Sequence, residues 1–211
     1  MENPIENNPL LMLLGSVTPL PGPFQQRVIE QTLTEELEPK QHLLEPGETC
    51  RRIYYIESGL LRTYYLDEQG HQHTTWLLPA GELIISVHSF FSQQPAQEYL
   101  QALQPSRLRS LSWHQLQSYY ADFPQGNLIG RILTEKYYIR SEERTLSMRT
   151  LSPQKRFELL LEKQPDIEQL TTTSILASYL GISRESFSRM RSCMLRKNTQ
   201  QTPNPKNNSK P

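Results

Sequence analysis

Two short amphipathic segments joined by a glycine occupy residues 173–196, and they constrain the fold more than any other part of the chain. In the first segment Ile175, Leu176 and Leu180 fall on one face of a helix. Gly181 then permits a left-handed turn, and Ser183 is a typical cap for a second helix. The pattern predicts two helices that meet across a tight turn, which is the helix-turn-helix arrangement.

The second of these helices has separate apolar and polar faces. Phe187, Met190 and Met194 form a narrow apolar stripe. The opposite face carries Arg184, Glu185, Ser188 and Arg189. A helix that lies in the major groove of DNA needs this arrangement, because apolar anchors hold the helix while polar side chains reach base edges. Arginine can bond both guanine acceptors, and glutamate can accept from cytosine. The alternative interpretation is a surface hairpin whose charges are only solvated.

Charge is unevenly distributed along the chain. The 211 residues contain 22 Lys and Arg against 22 Asp and Glu, so the formal net charge is zero. Residues 1–148 carry 11 basic and 17 acidic residues, whereas residues 149–211 carry 11 basic and 5 acidic residues. A basic module attached to an acidic one is a compositional indication of nucleic-acid contact. The neutral average therefore does not exclude a DNA-binding function.

Short strands separated by turn sequences fill residues 41–112. Strand-forming residues concentrate at 53–56, 60–66 and 71–78, with Pro, Gly, Asp and Ser between them. This repeated alternation is typical of a β barrel or jelly roll. Before the strands, apolar residues at helical spacing from Phe24 to Leu37 predict one amphipathic helix that ends before Pro39.

A long helix is predicted after the strands. From 125 to 147, residues at spacings of three and four form a seam like that of a coiled coil, which Lys136 and Glu143 interrupt. This pattern predicts a dimerisation helix, and the alternative is a helix that packs only on its own domain. Ser152 and Pro153 then predict the cap and the first residue of another helix, after a hinge at 148–151.

Several features exclude whole classes of protein. Cys50 and Cys193 are too few and too far apart for a zinc or iron–sulfur site, so we expect reduced thiols. The apolar run from Leu10 to Leu14 is far shorter than the roughly 20 residues that span a bilayer. It also lacks a basic flank, so we expect no membrane contact and a cytoplasmic location. Residues 198–211 contain no apolar side chain and predict a disordered tail.

Two segments resemble the DNA-binding domain of the Crp/Fnr family of transcriptional regulators: LSPQKRFELLLEKQPDI (151–167) and ILASYLGISRESFSRMR (175–191). The strands with their PGE, SG and GE turns resemble the cyclic-nucleotide-binding-type jelly roll of the same family. The resemblance covers about residues 24–197, and its most specific part is the helix-turn-helix.

This resemblance implies an α+β fold in three parts. They are an N-terminal β jelly roll flanked by helices, forming a sensor domain (1–124), a dimerisation helix (125–147) and a winged-type helix-turn-helix domain (152–197). The resemblance also implies a homodimer that binds double-stranded DNA and is not an enzyme, with RNA polymerase as a further candidate partner. The expected base-reading residues are Ser183, Arg184, Glu185, Ser188 and Arg189. The candidates for phosphate contact are Thr172, Thr173, Arg191 and Lys197.

The resemblance fails at the position that decides the ligand. Cyclic-AMP-binding members combine a Gly-Glu-Leu turn with a downstream arginine that neutralises the cyclic phosphate. Gly81, Glu82 and Leu83 supply the turn, but residues 96–102 contain no arginine, and Glu98 would repel an anion. We therefore expect no tight binding of cyclic AMP, and either an unknown small-molecule effector or none. The candidate pocket residues are Arg62, Tyr64, Gly81, Glu82, Leu83 and Glu98.

A cupin-like metalloenzyme that uses His71 and His73 is the alternative from another class. Two histidines at this spacing on a strand project to one face, as metal ligands would. Gly70, however, indicates a solvated hairpin end, and no glutamate follows within a few residues. No cofactor is therefore expected, although the five histidines leave heme open.

Overall fold

The structure is a computed structural model that describes the backbone of residues 8–201 and the side chains of residues 8–196. The chain divides into two compact units, with the boundary between Thr150 and Leu151. This boundary lies in the 148–151 interval where the sequence predicts a hinge.

Eight strands form two antiparallel sheets in the first unit. They are β1 (Leu33–Leu37), β2 (His42–Leu44), β3 (Arg52–Ser58), β4 (Leu60–Leu66), β5 (Gln72–Pro79), β6 (Leu83–Ile84), β7 (Tyr99–Ala102) and β8 (Ser106–Ser112). One sheet has the order β1-β8-β3-β6 and the other the order β2-β7-β4-β5. Neighbours in a sheet are thus mostly distant in sequence, as in a jelly roll, so the predicted fold class is confirmed.

Five helices accompany these sheets: α1 (Pro9–Gly15), α2 (Gly22–Gln31), α3 (Val87–Ser92), α4 (Trp113–Asp122) and α5 (Pro124–Thr150). The prediction of a single helix over 24–37 is wrong beyond Gln31. The segment Leu33–Leu37 is strand β1 and pairs with β8, with Leu33 opposite Ser110 and Leu37 opposite Ser106. This long-range pairing overrides the helical spacing of the local sequence.

The first unit has two apolar clusters. One includes Ile56, Leu61 and Phe90 and fills the space inside the jelly roll. The second joins α1 and α2 to the roll and to the start of α5, and it includes Phe24 and Ile129. Ile129, near the start of α5, is buried in the second cluster. The N-terminal part of α5 is therefore attached to the roll.

The second unit is helical. It contains α6 (Pro153–Lys163), α7 (Ile167–Leu170), α8 (Thr173–Tyr179) and α9 (Arg184–Gln201). The Ser152 hydroxyl accepts a hydrogen bond from the Lys155 amide at 3.2 Å, and Pro153 is the first residue of α6, as the sequence predicts.

Two details of the second unit differ from the predictions. Residues 151–201 contain no strand, so this described part lacks the β hairpin that a winged-type domain would carry. Helix α9 continues to Gln201, so the predicted disordered tail is wrong at residues 198–201. Neither proline nor glycine interrupts α9 before Pro203, which allows the helix to extend. Residues 202–211 lie outside the described part of the chain.

Candidate nucleic-acid interface and sensor pocket

The turn between α8 and α9 has the geometry that its sequence predicts. The Thr172 hydroxyl caps α8 by accepting from the Ile175 amide at 3.3 Å. Gly181 has a φ of 67°, in the left-handed region that favours glycine, and the Ile182 amide donates to the Ala177 carbonyl at 3.0 Å. The Ser183 hydroxyl then accepts from the Ser186 amide at 3.2 Å, which caps α9. These local bonds fix how α9 leaves the turn.

Helix α9 is held to its unit by one apolar face. Phe187 is 1% exposed, and its ring meets Phe157 of α6 edge to face with centroids 5.1 Å apart. Leu176 and Leu180 are buried beside it. An arginine that sequence reasoning missed adds to this support. Arg156 donates to the Leu180 carbonyl at 2.6 Å, and no local pattern around Arg156 reveals that bond.

The polar face of α9 is fully open to solvent. Ser183, Arg184, Glu185, Ser188 and Arg189 are all exposed, whereas Phe187 is buried. Hydrogen bonds from its own backbone amide and from Ser183, together with the nearby Arg184 and Arg189, lower the pKa of the Glu185 carboxyl. Arg189 makes only a weak contact, from Nη2 to the Ser186 hydroxyl at 3.3 Å. The five predicted base-reading residues thus share one accessible surface, which we name the α9 face.

The predicted phosphate contacts lie in more varied settings. Thr172 is exposed but its hydroxyl oxygen already caps α8, and Thr173 is half-buried. Arg191 is exposed and forms an ion pair with Glu168 at 2.5 Å. The Lys197 side chain lies outside the described residues. Phosphate contact therefore stays a prediction for all four.

The predicted dimerisation helix has an apolar stripe that its own unit leaves uncovered. Ile129 is buried against the roll, but Ile139 is 56% exposed and Leu146 is 61% exposed. The other side of α5 contacts the roll through Tyr137, whose ring lies 5.8 Å from Trp76, and through Arg140 and Arg144. Packing on its own domain therefore covers the start of the seam at Ile129 and leaves Ile139 and Leu146 largely exposed, although Ile139 also lines a pocket against the roll.

A pocket of about 890 Å³ lies between the roll and α5, and we name it the roll pocket. Four of the predicted pocket residues line it: Gly81, Glu82, Leu83 and Glu98. Tyr65, Trp76 and Tyr137 add aromatic walls, and Lys136 and Arg140 bring positive charge from α5. The sequence did not predict that Lys136, Tyr137 and Arg140 of α5 line the pocket, because their positions depend on how α5 packs on the roll.

Arg62 and Tyr64 do not line the roll pocket, which corrects their assignment. Successive side chains of a strand point to opposite faces, and it is Thr63 and Tyr65 of β4 that face the pocket. The buried Arg62 guanidinium instead lies 4.0 Å from the centre of the Tyr64 ring. Its Nε and Nη2 atoms donate to the Gln101 side chain at 2.9 and 2.7 Å. Arg62, Tyr64 and Gln101 therefore form a structural cluster on the sheet.

Three carboxylates line the roll pocket, those of Glu82, Glu98 and Glu143, and the first two have the following partners. Glu98 accepts hydrogen bonds from the Ser86 and Tyr65 hydroxyls. Burial raises the pKa of Glu98, and these two bonds offset part of that effect. Glu82 forms an ion pair with Arg140 of α5 at 2.6 Å. An anionic ligand would therefore meet Glu98, and a ribose hydroxyl would have to compete with Arg140 for Glu82.

Comparison with known protein families assigns the first unit. Residues 34–123 match the family model of the cyclic nucleotide-binding domain. No curated protein matches the chain. The jelly roll thus has the fold of a cyclic nucleotide-binding domain.

Solved structures extend the comparison to both units. FixK2 from Bradyrhizobium japonicum is 15% identical, with a TM-score of 0.70 over 79% of this chain and 86% of that one. The c-di-GMP-responsive regulator CLP from Xanthomonas campestris is 15% identical, with a TM-score of 0.66 over 82% and 91%. A CRP/FNR-family regulator from Thermus thermophilus is 19% identical, with a TM-score of 0.63 over 78% and 87%. The chain has the Crp/Fnr fold.

In these comparisons the Xanthomonas protein is a global regulator and the Thermus protein is a transcriptional regulator. The histidines of the metalloenzyme alternative also have another role. His73 Nε2 lies 2.9 Å and His71 Nδ1 3.3 Å from the Asp67 carboxylate, at the exposed end of the β4–β5 hairpin. Side chains 8–196 contain no cluster of three or more His, Cys, Asp or Glu residues that could hold a metal ion. The metalloenzyme interpretation is therefore not favoured.

One further property concerns membranes. Within residues 8–201, every helix of this Crp/Fnr fold is too short or too polar to cross a bilayer.

Proposed function

We propose that this chain is a sequence-specific DNA-binding transcriptional regulator that acts as a homodimer on a palindromic site. The observation that carries the proposal is the division of α9. Its apolar side is buried through Phe187, while Arg184, Glu185 and Arg189 on the other side are exposed together. A recognition helix needs this division in order to enter the major groove. A hairpin whose charges are only solvated would not need one contiguous reading face.

In this mechanism each part of the chain has its own role. Residues 1–124 form the sensor domain, residues 125–147 join two copies, and residues 152–197 bind DNA. Two copies of α9 then occupy successive major grooves, about one helical turn apart. Arg184 and Arg189 read guanines and Glu185 reads a cytosine. The regulator acts in the cytoplasm, and RNA polymerase is a further proposed partner.

Selection of bound sites from random DNA duplexes tests this function directly. The full chain is expected to select a palindrome, and the Arg184→Ala and Arg189→Ala variants should each lose about 1–3 kcal/mol of binding free energy and relax the base preference. The Lys197→Ala variant should instead weaken binding to all sequences alike, because phosphates carry no sequence information. Equilibrium binding to the selected site and to its single-base variants measures both effects.

Arg196→Ala is the matched control for these substitutions. Arg196 is an exposed arginine of the same helix, and it lies seven residues C-terminal to Arg189, beyond the predicted base-reading residues. Its removal deletes the same charge and should leave the base preference unchanged. If Arg184→Ala binds its selected site with the same selectivity as the parent, the reading assignment is wrong. If no duplex is selected at all, the proposed function fails.

The roll pocket leads to a separate expectation about cyclic AMP. We expect the protein to bind this nucleotide more weakly than about 1 mM, which corresponds to about 4.1 kcal/mol. The causes are the lack of an arginine in residues 96–102, the carboxylate of Glu98 in the pocket wall and the pairing of Glu82 with Arg140. Isothermal titration calorimetry checks this, with Glu98→Gln as a variant that removes the repelling charge. Micromolar affinity in the parent would show that the pocket tolerates an anion after all.

A further inference from the structure

A second cavity lies among α1, α2, α4 and the first half of α5. Most of the residues that line it do not line the roll pocket. Its volume is about 160 Å³, and its walls are mostly aliphatic and aromatic side chains, such as Leu10, Phe24, Val28 and Ile129. We name it the helix-side cavity. A cavity of about 150 Å³ with apolar walls is large enough to take a benzene molecule. The size and the chemistry of this cavity are therefore those of a site for a small apolar molecule.

Two glycines bring the helices that form this cavity close together. A Cβ atom at Gly126 would lie 2.5 Å from the Tyr119 carbonyl oxygen, and one at Gly130 would lie 2.5 Å from the Tyr120 hydroxyl. Only glycine permits this approach of α5 to α4. Because backbone atoms form part of the contact, the surrounding structure cannot easily collapse into the cavity.

One polar atom without a partner lies in the cavity wall. Tyr119 lines the cavity and is 2% exposed, and its hydroxyl has no hydrogen-bond partner. Among the described residues that line this cavity, no other buried polar side-chain atom lacks a hydrogen-bond partner. Its ring is held by an edge-to-face contact with Phe24, with centroids 5.2 Å apart. Burial raises the pKa of Tyr119, so the hydroxyl keeps its proton and is available to donate.

We propose that the helix-side cavity binds a small, uncharged, mainly apolar molecule, with the Tyr119 hydroxyl donating to a single acceptor atom on that molecule. The apolar walls supply affinity through burial, and the hydroxyl supplies orientation. Gly81, Glu82 and Glu98 line the roll pocket and not the helix-side cavity, so the proposed site differs from the one expected for a cyclic nucleotide, although Leu83 lines both. Leu133 and Tyr137 of α5 line both spaces, so a bound molecule contacts the helix proposed to form the dimer.

Toluene and phenol are suitable probes, because they have nearly the same shape and only phenol can bond to Tyr119. Methyl NMR of the full chain without DNA should show saturable shifts at Val28 and Ile129 with both probes. In the Tyr119→Phe variant the affinity for phenol should fall about two- to tenfold, as expected for one net hydrogen bond. The affinity for toluene should stay the same. The free Tyr119→Phe protein should also melt at a higher temperature than the parent, because an unpaired buried hydroxyl is removed.

Tyr54→Phe is the matched control, since Tyr54 is a buried tyrosine of the other apolar cluster and does not line the cavity. It should change neither affinity. The proposal is overturned if neither probe shifts Val28 or Ile129 up to its solubility limit. An equal change of both affinities in Tyr119→Phe would overturn the assigned hydrogen bond. The measurement contains no DNA, so its failure is distinguishable from failure of the proposed DNA-binding function.

Discussion

Replacing Phe187 by alanine is expected to unfold most of the second unit while the jelly roll keeps its structure. The Phe187 side chain is fully buried, and its removal from a core costs about 3–5 kcal/mol. A unit of this size has a total stability of only about 3–8 kcal/mol. Hydrogen exchange measures the effect, because the amides of α8 and α9 should lose protection whereas those of β4 and β8 keep it.

Ser188→Ala is the control for this substitution. Ser188 is the next residue of α9 and is exposed, so its replacement should change the stability by no more than about 0.5 kcal/mol. The variant Phe187→Leu should recover part of the loss, since it refills much of the volume. Unchanged protection of α8 and α9 in Phe187→Ala would mean that the Phe157–Phe187 contact does not hold the helix.

The helix-turn-helix could be predicted from sequence because its determinants are local. Gly181 supplies a left-handed φ, and Ser183 and Ser152 cap the helices that follow them. Each of these effects acts within about four residues of the chain. The apolar face of α9 follows from helical spacing alone, so the sequence predicts Phe187 as an anchor without identifying its partner Phe157.

Features that depend on long-range pairing were predicted less well. The segment Leu33–Leu37 has helical spacing, but β8 offers it a complete set of backbone partners, so it forms a strand. Arg62 and Tyr64 were predicted to line the pocket, but they lie on the other face of β4. Which face of β4 points inward depends on its register with β5 and β7, and Tyr65 on the other face carries the same chemistry as Tyr64. Local sequence therefore does not distinguish the two faces.

The second large effect is expected from a charge in the exposed seam of α5. If two copies join through this seam as we propose, Ile139→Glu places two carboxylates against each other across the two-fold axis, in a contact that excludes water. The variant should be monomeric at concentrations where the parent is dimeric. Its affinity for the selected palindrome should fall by about 10²–10⁴-fold, because the second half-site no longer binds as part of the same complex. Analytical ultracentrifugation and equilibrium DNA binding measure the two effects.

Tyr138→Glu is the matched control, because Tyr138 is 64% exposed on α5 and lies outside the seam. It introduces the same charge one residue away and should leave both the dimer and the DNA affinity unchanged. A dimeric Ile139→Glu protein with parental affinity would show that the seam is not the interface. The monomer has a further use, since α9 belongs to the other compact unit. If it binds a single half-site with the parental base preference, reading by Arg184 and Arg189 is independent of dimerisation, and α5 contributes affinity without contributing sequence preference.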